Sequence, residues 1–134
     1  DVFLFHWKEE SQHAILDELE LLREDATLTK AERDAAVDDL IALVGGVDGI
    51  LQAQAKADAA YFRAITGADT QRAAAIESHV LKAYRWQYIV SGVMEPRFQG
   101  VLFALVDRAQ AERMQAALAP LTYAVPAAPL PMVA

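Results

Sequence analysis

Apolar and polar positions alternate along this chain with the helical period. From Val2 to Asp25, Phe3, Leu4, Phe5, Trp7, Ile15, Leu16, Leu19, Leu21 and Leu22 take up most of the circumference of a helix drawn at ~100° per residue. Ala26-Thr27-Leu28 then makes a turn. Thr29, with Glu32 three residues on, forms a capping box that opens a second helical pattern from Lys30 to about Thr66. Gly45-Gly46 and Gly49 weaken that pattern in the middle, at roughly 1 kcal/mol per glycine relative to alanine. Two readings stay open there: one kinked helix, or a helix over 30–44 followed by another over 47–66.

Gly67-Ala68 ends the second pattern, and Asp69 or Thr70 caps a third that runs to about Ser91-Gly92. Pro96 either starts a fourth helix in its first turn or kinks a continuous one, and the pattern carries on to about Leu118. From Pro120 onward, prolines at 120, 126, 129 and 131 predict an extended tail lying on the bundle or on a neighbouring subunit. The expectation is an all-α, antiparallel four-helix bundle over residues 1–119 and an extended Pro/Ala-rich tail over 120–134.

Composition supports that class. Hydrophobic residues make up 54% of 134 positions, enough to bury a core. β-branched runs and hairpin-type turns are nearly absent. There is no cysteine, which removes disulfides, thiolate ligands and cysteine nucleophiles. A net charge of −7 repels phosphate backbones, so nucleic acid is not an expected partner. No uninterrupted apolar run is long enough to span a bilayer, so no membrane contact is expected, and a cytoplasmic location is. Val2-Phe3-Leu4-Phe5 reads as helix interior with no capping residue before it, which predicts further sequence upstream, amounting to a whole helix.

The candidate chemistry lies on the first helix. His6, Glu10, His13 and Asp17 fall within a narrow arc, at spacings of four, three and four, with Glu9, Glu20 and Glu24 on or beside it. This arc holds five carboxylates and neither lysine nor arginine. Like charges one turn apart are destabilising by a few tenths of a kcal/mol per pair, and a bound cation relieves that repulsion. Imidazole and carboxylate ligands one turn apart are also what a helix offers a transition metal. The bland alternative is a solvated acidic face.

A second pair lies further along the chain. Asp58 interrupts the apolar seam Val44, Val47, Leu51, Ala55, Phe62 and Ile65, and His79 interrupts the seam Ile76, Ala83, Trp86 and Val90. Asp58 is ten residues before Ala68 and His79 eleven after it, so an antiparallel hairpin brings the two level. Two uses follow for them. One is a structural Asp–His hydrogen bond; the other is a metal site assembled from Glu10, His13, Asp58 and His79.

His6-x-x-Glu9-Glu10-x-x-His13, followed by Ala-Ile-Leu-Asp-Glu, resembles the metal-ligand helices of the ferritin-like di-iron carboxylate superfamily. The placing of His, Glu and His is similar to that in the arylamine N-oxygenases. The resemblance covers about 15 residues. It implies a ferritin-like bundle holding two iron or manganese ions, with Glu10 and His13 as the Glu-x-x-His ligands and His6 as a third. It implies oxygen-dependent oxidation of a small-molecule substrate, or metal storage, in a homo-oligomer. Members carry a second Glu-x-x-His helix, and this sequence has none. The rival expectation is a non-catalytic helical oligomerisation module in which Asp58 and His79 form a structural pair.

Overall fold

The computed structural model describes residues 1–126, and everything regular in them is helical. The five helices are α1 (Val2–Asp25), α2 (Lys30–Thr66), α3 (Thr70–Arg85), α4 (Pro96–Leu105) and α5 (Arg108–Leu118). A π-helical turn, Trp86–Val90, and a last α-turn, Ser91–Val93, prolong α3, and a 3-10 turn, Ala119–Ala124, follows α5.

Local chemistry sets most of the boundaries. Asp1 caps α1 by accepting from Phe3 N, so the opening of this helix does have a cap, contrary to expectation. Thr29 and Glu32 form the full capping box of α2. Gly67, at φ +67°, closes α2 in the left-handed conformation that glycine adopts without steric cost. Asp69 caps α3, and Glu95 caps α4 with Pro96 in its first turn. Two departures from the sequence reading appear. α4 and α5 are separate, because Asp107 and Gln110 build a second capping box after the break at Val106. Residues 119–124 also wind into a 3-10 turn instead of running extended. Leu121 and Ala124 bury themselves there, and Pro120 sits at the turn's start, where its missing N–H costs nothing. The rest of the expected tail, 127–134, lies outside the described residues.

α2 is one continuous helix through Gly45-Gly46. It packs antiparallel along α3, and α5 and the 3-10 turn close over this hairpin. The core cluster is Leu51, Ile89, Val90, Leu121 and Ala124, flanked by Val44, Val47, Leu81, Tyr84, Trp86, Val93 and Leu118. α1 stands apart from it. None of its residues is buried, and it packs extensively on no other element. No helix among the described residues is long and apolar enough to cross a membrane.

Candidate functional site

On α1 the predicted stripe forms as a local cluster. The Glu10 carboxylate lies between two imidazoles, 3.7 Å from His6 Nε2 and 3.5 Å from His13 Nδ1, and all three side chains are more than half exposed. They do not face the body of the protein. α1 is held to it by Glu18, whose carboxylate meets Arg97 at 2.7 Å, and by Asp25, which meets Arg33 at 2.8 Å. At ~100° per residue, His6 and His13 lie about 120–140° around the helix from Glu18.

Asp58 and His79 do not pair. Asp58 accepts from Tyr84 Oη at 2.6 Å and from Gln54 Nε2 at 2.8 Å. His79 is exposed, and its Nδ1 lies 2.6 Å from the Ala75 carbonyl of its own helix, so Nδ1 carries the proton. The partly buried side of α3 includes Ala73, Ile76, Glu77, Val80 and Tyr84, while His79 and Ala83 are exposed. Tyr84 thus takes the position assigned to His79. A π turn follows in which Ser91 N bonds back to Trp86 O, so the seam read from Ile76 to Val90 crosses a change of helical period. The hydrogen bond from Tyr84 to Asp58, followed by burial, holds the phenol above its ordinary titration range.

The five candidate residues therefore divide into three places: His6, Glu10 and His13 outward on α1, Asp58 inside the α2–α3 hairpin, and His79 on its surface. Among the described residues, no group of three or more His, Asp or Glu side chains stands close enough together to hold a metal ion.

The sequence reading passed over two polar clusters. Arg85 donates Nε and Nη2 to Asp48 at 2.6 and 2.7 Å and Nη1 to Tyr123 Oη at 2.8 Å, tying together α2, α3 and the 3-10 turn. This bidentate bond is the main cause that holds the Asp48 carboxyl below its usual range. Gln110, 3% exposed, donates to Asp34 at 2.8 Å and accepts from Asp107 N at 2.9 Å, while Lys30 reaches Asp107 at 2.8 Å. Asp48 within Gly46-Val47-Asp48-Gly49 carried a sequence signal, an acid in an otherwise apolar stretch. Gln110 carried the capping spacing from Asp107. Both clusters join elements; neither faces a cavity with a nucleophile or an acid–base pair.

Compared with protein-family models, curated proteins and solved structures, the chain finds no match.

Proposed function

We propose that α1 is the ligand-bearing helix of a non-haem metal–carboxylate protein, and that its site is completed when the outward side of α1 is covered by another element. The observation that carries this reading is Glu10 held between His6 and His13, one turn to either side. One carboxylate and two imidazoles form a donor set suited to iron or manganese. The carboxylates of Glu9 and Asp17 add negative potential that a cation relieves, whereas Glu20 and Glu24 already meet Arg23 at 2.8 Å. Exposure of the stripe does not count against it, because the whole helix is uncovered: Phe3 and Trp7 are 84% and 66% exposed.

The donors of α1 fit one flank of a metal site and not a complete one, since ions of this kind take more ligands than a single helix face offers. The remaining ligands belong to whatever covers the stripe. Within this reading the finer assignments are a ferritin-like four-helix bundle, one metal or a pair, and oxygen-dependent oxidation of a small molecule or metal storage.

Metal analysis after loading with Fe²⁺ or Mn²⁺ and desalting tests it. The protein should retain metal, and Glu10→Ala and His13→Ala should each lower affinity at least tenfold while the helix content stays unchanged. No retained metal, or retention that neither substitution alters, overturns the reading.

The second reading is a non-catalytic helical interaction module. It is favoured by the partners of Asp58 and His79, each of which is satisfied within the α2–α3 hairpin. Under it the stripe is a solvated face, and the same loading experiment gives the opposite result.

A further inference from the structure

We propose that the groove between α2, α4 and α5 is a binding site for an uncharged, mainly apolar small molecule. No residue of α1 lines it, so this stands whether or not α1 carries a metal.

The size suits such a ligand. The groove holds about 500 Å³, within the range of about 300–1,000 Å³ that small-molecule sites occupy. Its walls come from four elements, with Ile41 and Val44 of α2, Phe98 and Leu102 of α4, Met114 of α5 and Leu121 of the 3-10 turn. That volume equals about one turn of an α-helix with its side chains. A partner helix docks through anchors spread from i to i+7, over about two turns or more. The groove is therefore too small to seat a helix and roomy enough for a small molecule.

Gly45 adds to that room. Of the glycines in the middle of α2, it is the one in the groove wall. It lies on the same helix face as Ile41 and Asp48, one turn from each, and both of these line the groove. A Cβ built on Gly45 meets nothing within 4 Å, so a larger side chain there extends into open space on the groove side.

Charge sets the class of ligand. Among the described residues, Asp48 is the one charged side chain in the wall, and Arg85 takes both its oxygens. The arginines of α4 and α5 are spent as well: Arg97 on Glu18, Arg108 on Glu112, and Arg113 on Asp34 and Asp38. A charged ligand would leave water for apolar walls and find no counter-ion there, whereas an uncharged one loses nothing by the move. The polar side chains left in the wall are two amides. Gln99 already donates to the Val93 carbonyl at 3.0 Å. Gln115 is exposed and has no hydrogen-bond partner among the described residues, so it can serve one neutral polar group, a hydroxyl or a carbonyl.

Fluorescence titration tests it. The uncharged dye N-phenyl-1-naphthylamine, which brightens in apolar surroundings, should bind saturably at one site per chain. Gly45→Leu should weaken binding at least tenfold while its Tm stays at or above that of the wild type, because leucine is the better helix former. Ala117→Phe, on the α5 side of the groove, should do the same. Gly46→Leu makes the same change one residue along, outside the wall, and should leave binding unaltered. The related dye 8-anilinonaphthalene-1-sulfonate, which carries a fixed negative charge, should bind at least tenfold more weakly. No saturable binding, or binding that neither Gly45→Leu nor Ala117→Phe alters, overturns the proposal. Equal affinity for the two dyes overturns the uncharged class. Displacement of the dye by a peptide of residues 1–25, or an affinity that falls as protein concentration rises, shows that a segment of this chain fills the groove and overturns it too.

Discussion

Arg85 is the side chain on which three elements depend. Its guanidinium satisfies both oxygens of Asp48 and the hydroxyl of Tyr123, and the Tyr123 ring lies 5.7 Å from Cζ. Arg85 and Asp48 are each 15% exposed at the side chain, so solvent screens the pair weakly. Hydrogen bonds to charged groups are worth about 1.5–3 kcal/mol, and a mostly buried arginine left without its carboxylate also keeps its desolvation cost. Asp48→Asn should therefore lower stability by about 2 kcal/mol at neutral pH, read from urea unfolding. The pH dependence has a definite sign. Arg85 depresses the folded pKa of Asp48 below its unfolded value of ~3.9. The carboxylate's contribution is thus complete above that value and is lost as pH falls through the folded one. The stability gap between wild type and Asp48→Asn should hold between pH 5 and 8 and narrow below pH 4. A gap that does not change down to pH 3 would show that the Asp48–Arg85 bond does not govern this titration.

At the scale of elements, what the sequence made legible was what depends on a few neighbouring residues. The Thr29–Glu32 box, the Gly67 stop and the first turn at Pro96 follow from caps and breakers acting within four residues, while α1 was legible from its apolar period and its Asp1 cap was missed. The glycines of α2 were the ambiguous case, and packing on α3 kept the helix whole. An added Cβ at Gly46 or Gly49 meets nothing within 4 Å, and both positions are exposed. Gly46→Ala and Gly49→Ala should each raise stability by about 0.5–1 kcal/mol, mainly by restricting the unfolded chain. A loss of stability in thermal or urea unfolding would instead mean that flexibility at this point is needed.

The rotation of α3 was not legible. Asp58 was singled out as a carboxylate needing a partner, but that partner is Tyr84 and not His79. Nothing in Trp-Gln-Tyr-Ile-Val announces the π turn at Trp86–Val90, so a seam drawn through it with one fixed period does not carry over into α3. A similar limit applied to the candidate site. Spacing fixed that His6, Glu10 and His13 share a face, which is a property of one helix. Which way that face turns depends on what the helix packs against, and no short-range pattern encodes that.

At the scale of the molecule, α1 and the body differ in what holds them. The α2–α3 hairpin, α5 and the 3-10 turn share a core around Leu51, Ile89, Val90 and Leu121. α1 is held by charged contacts at Glu18 and Asp25. Surface ion pairs contribute about 0–1 kcal/mol each, too little to keep an apolar helix ordered. If a second copy supplies the missing contacts, folding and association are linked, and stability depends on concentration. A tenfold rise in chain concentration then adds about 1.4 kcal/mol to the dimer, and Tm should climb by a few degrees with it. Amide exchange along α1 should slow in the same series, while exchange in the α2–α3 core changes less. A Tm independent of concentration over two decades, with α1 amides exchanging at unprotected rates throughout, would leave α1 a solvated helix. The hydrophobic side from Phe3 to Leu22 would then have no thermodynamic explanation in contacts between copies of this chain.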